Sequence, residues 1–300
     1  MYLQEDIASP KPKDRRNARH RNRTLTITAL VLVATVVVVG AYILSIGGRT
    51  STGETTPVPS SDLAQLSQVA NSRYGTPSFQ SLAPYSGAPL SYDGKPVILF
   101  VSGDFCPYCA AERWALVIAL MRFGTFSSLS YTYSGSNIEL PNTPSFSFLN
   151  YSYSSQYISL QAYEFEDRNG KPLESVPANY SALWSAVTHG DVPFLDIANS
   201  YVVAGAQYGA SLLAGLNQEQ VVQSIVNGDS LGKTIMAVAD GITSAICNVT
   251  QGSPAGVCGQ VHTSASSSSY MGSPSSSAEA WAMVQYAQTE WTRKTSAPTR

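Results

Sequence analysis

The chain has 300 residues, 44% of them hydrophobic, and a formal net charge of −2, enough apolar material for at least one sizeable core. Seven of its 18 basic residues (Lys11, Lys13, Arg15, Arg16, Arg19, Arg21 and Arg23) and only three of its 20 acidic ones fall before position 24, which leaves 11 basic and 17 acidic residues for the body. An acidic body repels polyanions, so nucleic acid is excluded as a partner.

Behind this basic tail (1–23), residues 24–48 carry no charge and centre on the apolar run 30–39. As a helix rising about 1.5 Å per residue, such a segment is long enough to cross a bilayer. Tyr42 stands near its far end, where an aromatic suits the interface, and the basic tail holds the N-terminus in the cytoplasm. The rival reading is a cleaved signal peptide, whose apolar region runs about 7–15 residues and ends in small residues. This run is longer and Ser45-Ile46-Gly47-Gly48 is a weak cleavage site, so an uncleaved single-pass anchor is expected, with everything after Arg49 outside the cell membrane.

Residues 49–94 read as a stalk and lead-in. Residues 51–61 are rich in Ser, Thr, Pro and Gly, 62–71 suit a short helix with Leu63, Leu66 and Ala70 on one face, and Asp93-Gly94 marks a turn. The globular part is expected over 95–260. Its first strand is the apolar run 97–102, followed by Cys106-Pro107-Tyr108-Cys109 and a helix over 110–123 with Trp114, Val117, Ile118 and Met121 in the core.

Two cysteines two residues apart, where a strand feeds a helix, can close a small disulfide and reopen it. Free backbone N–H groups and the helix dipole stabilise negative charge at that end. They lower the pKa of the first thiol, which makes Cys106 the nucleophile and Cys109 the resolving thiol. Half of a zinc site and an inert structural disulfide are the bland alternatives. The first wants a second close pair, and Cys247 and Cys258 have ten residues between them. No cofactor or resident metal is called for.

Further along, 129–133 reads as a strand and 134–156 as an inserted loop or hairpin, loaded with Ser, Asn, Tyr and Pro, with Phe146/Phe148 and Tyr151/Tyr153 alternating. A solvent-facing ribbon is expected there in preference to a substrate-contacting flap. A strand over 157–166, a turn over 167–172 and a helix over 179–188 with Leu183, Trp184 and Val187 inward come next. A hairpin of 194–197 with 201–204 and helices over 218–226 and 231–246 complete the pattern. Cys247 and Cys258 can then close a structural loop. Residues 261–300 hold a serine-rich tract and a candidate helix over 278–291. All four cysteines lie beyond the apolar segment, which suits an oxidising exterior. Sequons at Asn150, Asn179 and Asn248 are candidate glycosylation sites in the same region.

With strand, CxxC, helix and strand followed by Val192-Pro193-Phe194 and a hairpin, residues 95–228 resemble the thioredoxin-like superfamily. The whole layout resembles an archaeal family of membrane-anchored thioredoxin-like proteins of undetermined function. The resemblance implies an α/β fold, a central mixed sheet flanked by helices. It also implies a cis bond before Pro193, with the Val192 backbone pairing to an extended substrate beside Cys106. It would further place a buried carboxylate six residues before the first cysteine, where this chain has Phe100; Asp104 and Glu112 are the nearest acids, and neither holds that place. His189 is a minor candidate near the dithiol, more naturally a helix cap. The expected function is that of a membrane-anchored extracytoplasmic thiol–disulfide oxidoreductase. Its partners would be outside protein thiols and disulfides, the bilayer through residues 24–48, and a membrane redox partner. A non-catalytic binding or assembly module and a copper-delivery protein are the alternatives.

Overall fold

The computed structural model describes residues 55–79 and 82–265; the expected tail, anchor, most of the serine-rich tract and the terminal helix lie outside them. The fold is α/β, with a mixed sheet flanked by helices. Its centre is β4 (Lys95–Ser102), which pairs in parallel with β7 (Ser159–Glu164) and antiparallel with β8 (Phe194–Ile197). Strand β9 (Tyr201–Ala204) continues the sheet from β8, and β2 (Leu82–Pro84) forms its edge on β9. A short β3 (Ser91–Tyr92) folds back on the start of β4. The lead-in therefore contributes strands to the main sheet.

A central strand buried on both faces needs apolar residues at every position, which is why 97–101 read as an unbroken run. Side chains alternate across the sheet. Ile98 and Phe100 enter one core with α2 (Pro107–Met121) and α5 (Ser230–Val249), while Val97, Leu99 and Val101 enter a second core with Tyr180 and Val187 of α3 (Ala178–Thr188). Helix α1 (Ser60–Ser72) buries Leu66, Val69 and Ala70 in the first core, close to the face expected from the spacing. The amphipathic α4 (Gln218–Asn227) adds Val221, Val222 and Ile225, opened by a capping box at Asn217 and Gln220.

The segment expected as an insertion, 134–156, supplies β6 (Pro144–Ser155), which forms a hairpin with β5 (Gly124–Tyr133), the strand expected over 129–133; β1 (Thr56–Pro57) joins the edge of β5 to make a separate three-stranded sheet. Only the far half of β6 is a ribbon, with Asn150, Ser152 and Ser154 exposed and Tyr151 and Tyr153 half-buried between them. Its near half, from Pro144 to Phe148, is buried, and Phe146 packs 4.4 Å from Trp114 between ring centroids. The solvent-facing expectation fails there because α2 lies against this face, so Phe146 and Phe148 become core.

Arg122 ties the helices together beyond the end of α2. Its guanidinium pairs with Asp240 of α5 at 2.6 Å, donates to Thr243 Oγ1 at 2.7 Å and to the carbonyls of Ala70 and Arg73, and lies 4.4 Å over the Tyr74 ring. Asp240 also accepts the Gly75 amide at 2.6 Å. Cys247 and Cys258 form a disulfide that joins the end of α5 to α6 (Ala255–Ala265), a helix where the sequence suggested a loop.

Asp196, on β8, is fully buried; Oδ2 accepts the Asn199 amide at 3.0 Å and Oδ1 has no hydrogen-bond partner. Burial raises its pKa to about 7, against the pull of that amide. A carboxyl raised in the folded state stabilises fully below its unfolded pKa near 4, and that contribution is lost as pH rises through 7. Asp196→Asn should therefore gain about 2–4 kcal/mol relative to wild type between pH 5 and pH 8 in chemical denaturation. Parallel stability curves for the two proteins would remove titration of Asp196 as a determinant.

Candidate active site

Strand β4 ends at Ser102, and the loop Gly103-Asp104-Phe105 delivers Cys106 to the N-cap position of α2. Backbone bonds hold this loop: Asp104 N–H donates to Glu166 O at 2.9 Å, and Gly135 N–H donates to Phe105 O at 2.9 Å. A Cβ at Gly103 would lie 2.4 Å from the Phe105 ring, so any larger residue there would have to turn that ring aside. Pro107 suits the first helical position, where its missing N–H costs nothing.

The sulfur of Cys106 accepts the Cys109 amide at 3.1 Å, so a helix N-terminal donor points at the first thiol. Both cysteines are free of a disulfide and buried, Cys106 retaining 4% exposure and Cys109 none. Burial opposes a thiolate at Cys106. Hydrogen bonds from the Cys109 thiol and amide, the charge of Arg113 and the Tyr108 amide outweigh it, so its pKa falls below the ordinary thiol value. Cys109 moves the other way: burial, its hydrogen bond to Cys106 and the Cys106 charge raise it well above that value, although Arg113 pulls it down. The two sulfurs are inequivalent.

Eighty-six residues downstream, the Val192 carbonyl stands 3.9 Å from the Cys106 sulfur, in hydrogen-bonding orientation, and the Val192–Pro193 bond is cis. Two sets of bonds fix this second wall. Trp184 Nε1 and Thr188 Oγ1 donate to Asp191 O at 2.8 and 2.9 Å, and Gly205 N–H donates to Pro193 O at 3.0 Å. The segment after Gly205 is in turn held by Glu112 of α2, whose carboxylate accepts the Gln207 amide and side-chain Nε2, each at 3.0 Å. A half-buried row of Phe105, Phe165 and Trp184, with centroids 5.9 and 5.4 Å apart, runs from the residue before Cys106 to α3. His189 is elsewhere in role: it is the exposed, left-handed C-cap of α3, with φ 59°.

Every side chain of α2 except Tyr108 is buried, and two of them are charged. Arg113 donates to Glu164 through Nε at 3.0 Å and Nη2 at 2.5 Å, to Ser102 Oγ at 3.2 Å and to Ser145 Oγ at 3.3 Å. Asp104 lies at the edge of this network, with Oδ2 accepting from Ser147 Oγ at 3.0 Å and Oδ1 3.6 Å from Arg113 Nη2. The sequence reading missed Arg113 and Glu164 and regarded Asp104 and Glu112 as out of place. One signal was available. A helix apolar all round is buried all round, so the Glu112-Arg113 pair inside it had to be buried and partnered.

The remaining predicted residues lie apart from the dithiol. Cys247 and Cys258 belong to the α5–α6 junction. Asn150 is exposed and left-handed on β6, and Asn179 is exposed in the first turn of α3. Asn248 donates to Tyr201 OH at 2.9 Å, while the hydroxyl of its sequon, on Thr250, donates to Ile246 O at 2.9 Å. Among the described residues no group of three or more His, Cys, Asp or Glu is arranged to hold a metal ion, and no helix is long and apolar enough to cross a membrane.

No curated protein and no solved structure matches the chain. A family model described as Domain of unknown function (DUF929) matches residues 82–248, from β2 almost to the end of α5, and so includes the dithiol, the Val192–Pro193 wall and the Arg113 network. With more than half of its length matched, the chain belongs to the DUF929 family.

Proposed function

We propose that the protein is a thiol–disulfide oxidoreductase of thioredoxin-like fold, held at the outer face of a membrane by residues 24–48. The observation that carries this reading is the sulfur of Cys106: it caps a helix N-terminus, receives the Cys109 amide at 3.1 Å and faces the Val192 carbonyl at 3.9 Å. The sheet order β7-β4-β8-β9, with the dithiol at the β4–α2 junction, supports the fold assignment. The uncharged segment behind a basic tail, the three sequons and the Cys247–Cys258 bridge support the location outside.

In the reducing direction the Cys106 thiolate attacks one sulfur of a substrate disulfide. An S–S bond forms between Cys106 and the substrate, and the other substrate sulfur leaves as a thiolate. Cys109 then loses its proton and attacks the Cys106 sulfur. The Cys106–Cys109 bond forms, the second substrate thiolate leaves, and both substrate sulfurs end reduced while the protein ends oxidised. An external dithiol, such as that of a membrane redox partner, returns the pair to its starting state. The oxidising direction is the same sequence reversed, and the relative reduction potentials select between them. An extended substrate strand would use the Val192 backbone beside Cys106.

Thiol trapping of the purified protein in graded glutathione buffers tests this. Cys106 and Cys109 should titrate together as a reversible two-electron couple, with a slope of about 30 mV per tenfold change in ratio. Cys247–Cys258 should stay oxidised throughout. A Cys106–Cys109 pair that never forms a disulfide, or never releases one, overturns the reading and favours a binding module.

A further inference from the structure

Four of the five N–H groups of the Arg113 guanidinium are taken without Asp104. Glu164 takes its Nε and Nη2 in a two-pronged pair, and Ser102 and Ser145 accept further N–H groups. Asp104 is therefore a second carboxylate beside one cation. Its Oδ1 is 3.6 Å from Nη2 and has no hydrogen-bond partner, although the side chain is 3% exposed. Burying a carboxylate without full compensation destabilises a fold, so its presence calls for a use outside stability. Arg113 also sits one helical turn beyond Cys109, on the same face of α2, and its charge acts on both sulfurs. One buried cation thus serves a committed carboxylate, an uncommitted one and a dithiol.

We propose that Arg113 is a positioning residue that directs positive charge at the dithiol, and that Asp104 competes with the sulfurs for that charge. The proposal rests on the disulfide-exchange reading. When the Asp104 carboxyl is neutral, Arg113 favours a thiolate above it; when Asp104 ionises, its charge shares the guanidinium and disfavours a thiolate. The coupling is reciprocal, so a proton leaving a cysteine is partly matched by one bound at Asp104. Burial and the Glu164 charge push the Asp104 pKa up to about 7, against the pull of Arg113 and Ser147, which puts the exchange in the working range. The other titratable groups around it are Tyr108 on α2, Glu164 on β7 and Asp167 in the turn behind β7. Glu112 is turned to Gln207, and on the Val192 side Asp191 and His189 are exposed.

The test is the pH profile of Cys106 alkylation by iodoacetamide in the reduced full-length protein, followed by mass spectrometry. Asp104→Asn keeps the side-chain size and an acceptor for Ser147. It should leave the rate unchanged at pH 5.5, where Asp104 is already neutral, and raise it about two- to threefold at pH 8, where Asp104 is ionised. Arg113→Gln should lower the rate at least tenfold at both pH values. Should Arg113→Gln not fold, the Asp104→Asn profile decides alone. A profile for Asp104→Asn that superimposes on wild type, or that falls equally at both pH values, overturns the proposal. Failure of the parent reading is seen separately, in wild-type protein whose dithiol does not cycle with glutathione at all.

Discussion

Cys106→Ser is expected to reduce disulfide exchange below detection, whereas Cys109→Ser is expected to leave a nucleophile that cannot finish the reaction. Only a thiolate attacks, and only Cys106 holds both the helix N-terminal amide and a pKa below the ordinary thiol value. In Cys109→Ser the residue 109 amide still points at the Cys106 sulfur, so attack on the substrate is retained. The mixed disulfide then has no neighbour to resolve it. An intramolecular thiol works at a very high effective concentration, so release should slow at least a hundredfold or so even with millimolar external thiol. Mixed disulfides should accumulate as shifted bands on non-reducing gels and disappear on reduction, and the trapped partners identify the substrates. Trapping by Cys106→Ser in place of Cys109→Ser would reverse the two roles. Exchange that survives in both variants would end the oxidoreductase reading.

Arg122→Met is expected to be strongly destabilising. The methionine keeps much of the stem packing but removes the partner of Asp240, which is 1% exposed, and the donor to the Ala70 and Arg73 carbonyls. Removing one member of a buried ion pair costs about 3–5 kcal/mol because the other charge is stranded. In a domain of this size that corresponds to a fall of roughly 10 °C in thermal midpoint. Burial already pushes the Asp240 carboxyl upward against the pull of Arg122, so the stranded group should take up a proton, and the cost should shrink at acid pH. Chemical denaturation at pH 5 and pH 8 measures both effects. Arg122→Met/Asp240→Leu should recover part of the loss, with the Gly75 amide still lacking its acceptor. A loss below about 1 kcal/mol for Arg122→Met would show that water reaches this pair.

The elements carrying the dithiol were legible because their signals are local. An unbroken apolar run, a glycine-containing loop, a cysteine at the cap and a proline at the first helical turn each act within a few residues. The hairpin of 194–197 with 201–204 was readable for the same reason, with strand ends where the turn residues put them. The spacing of α2 likewise announced Trp114, Val117, Ile118 and Met121 as core.

What the sequence determined by itself was thus the chemistry of the pair: two thiols one helical turn apart, the first at a helix N-terminus. What surrounds them was decided by the tertiary structure. The Val192 carbonyl comes from 86 residues away, and only the antiparallel return of β8 against β4 brings it to Cys106. The alternation of Phe146 and Phe148 was visible, but which side of the hairpin would be covered depended on where α2 lay. Arg113, Glu164 and Asp104 are ordinary surface residue types, and nothing in their spacing joins them. They form one buried network because helix, strand and loop converge behind the dithiol and exclude water. Low dielectric turns three common charges into a single coupled group.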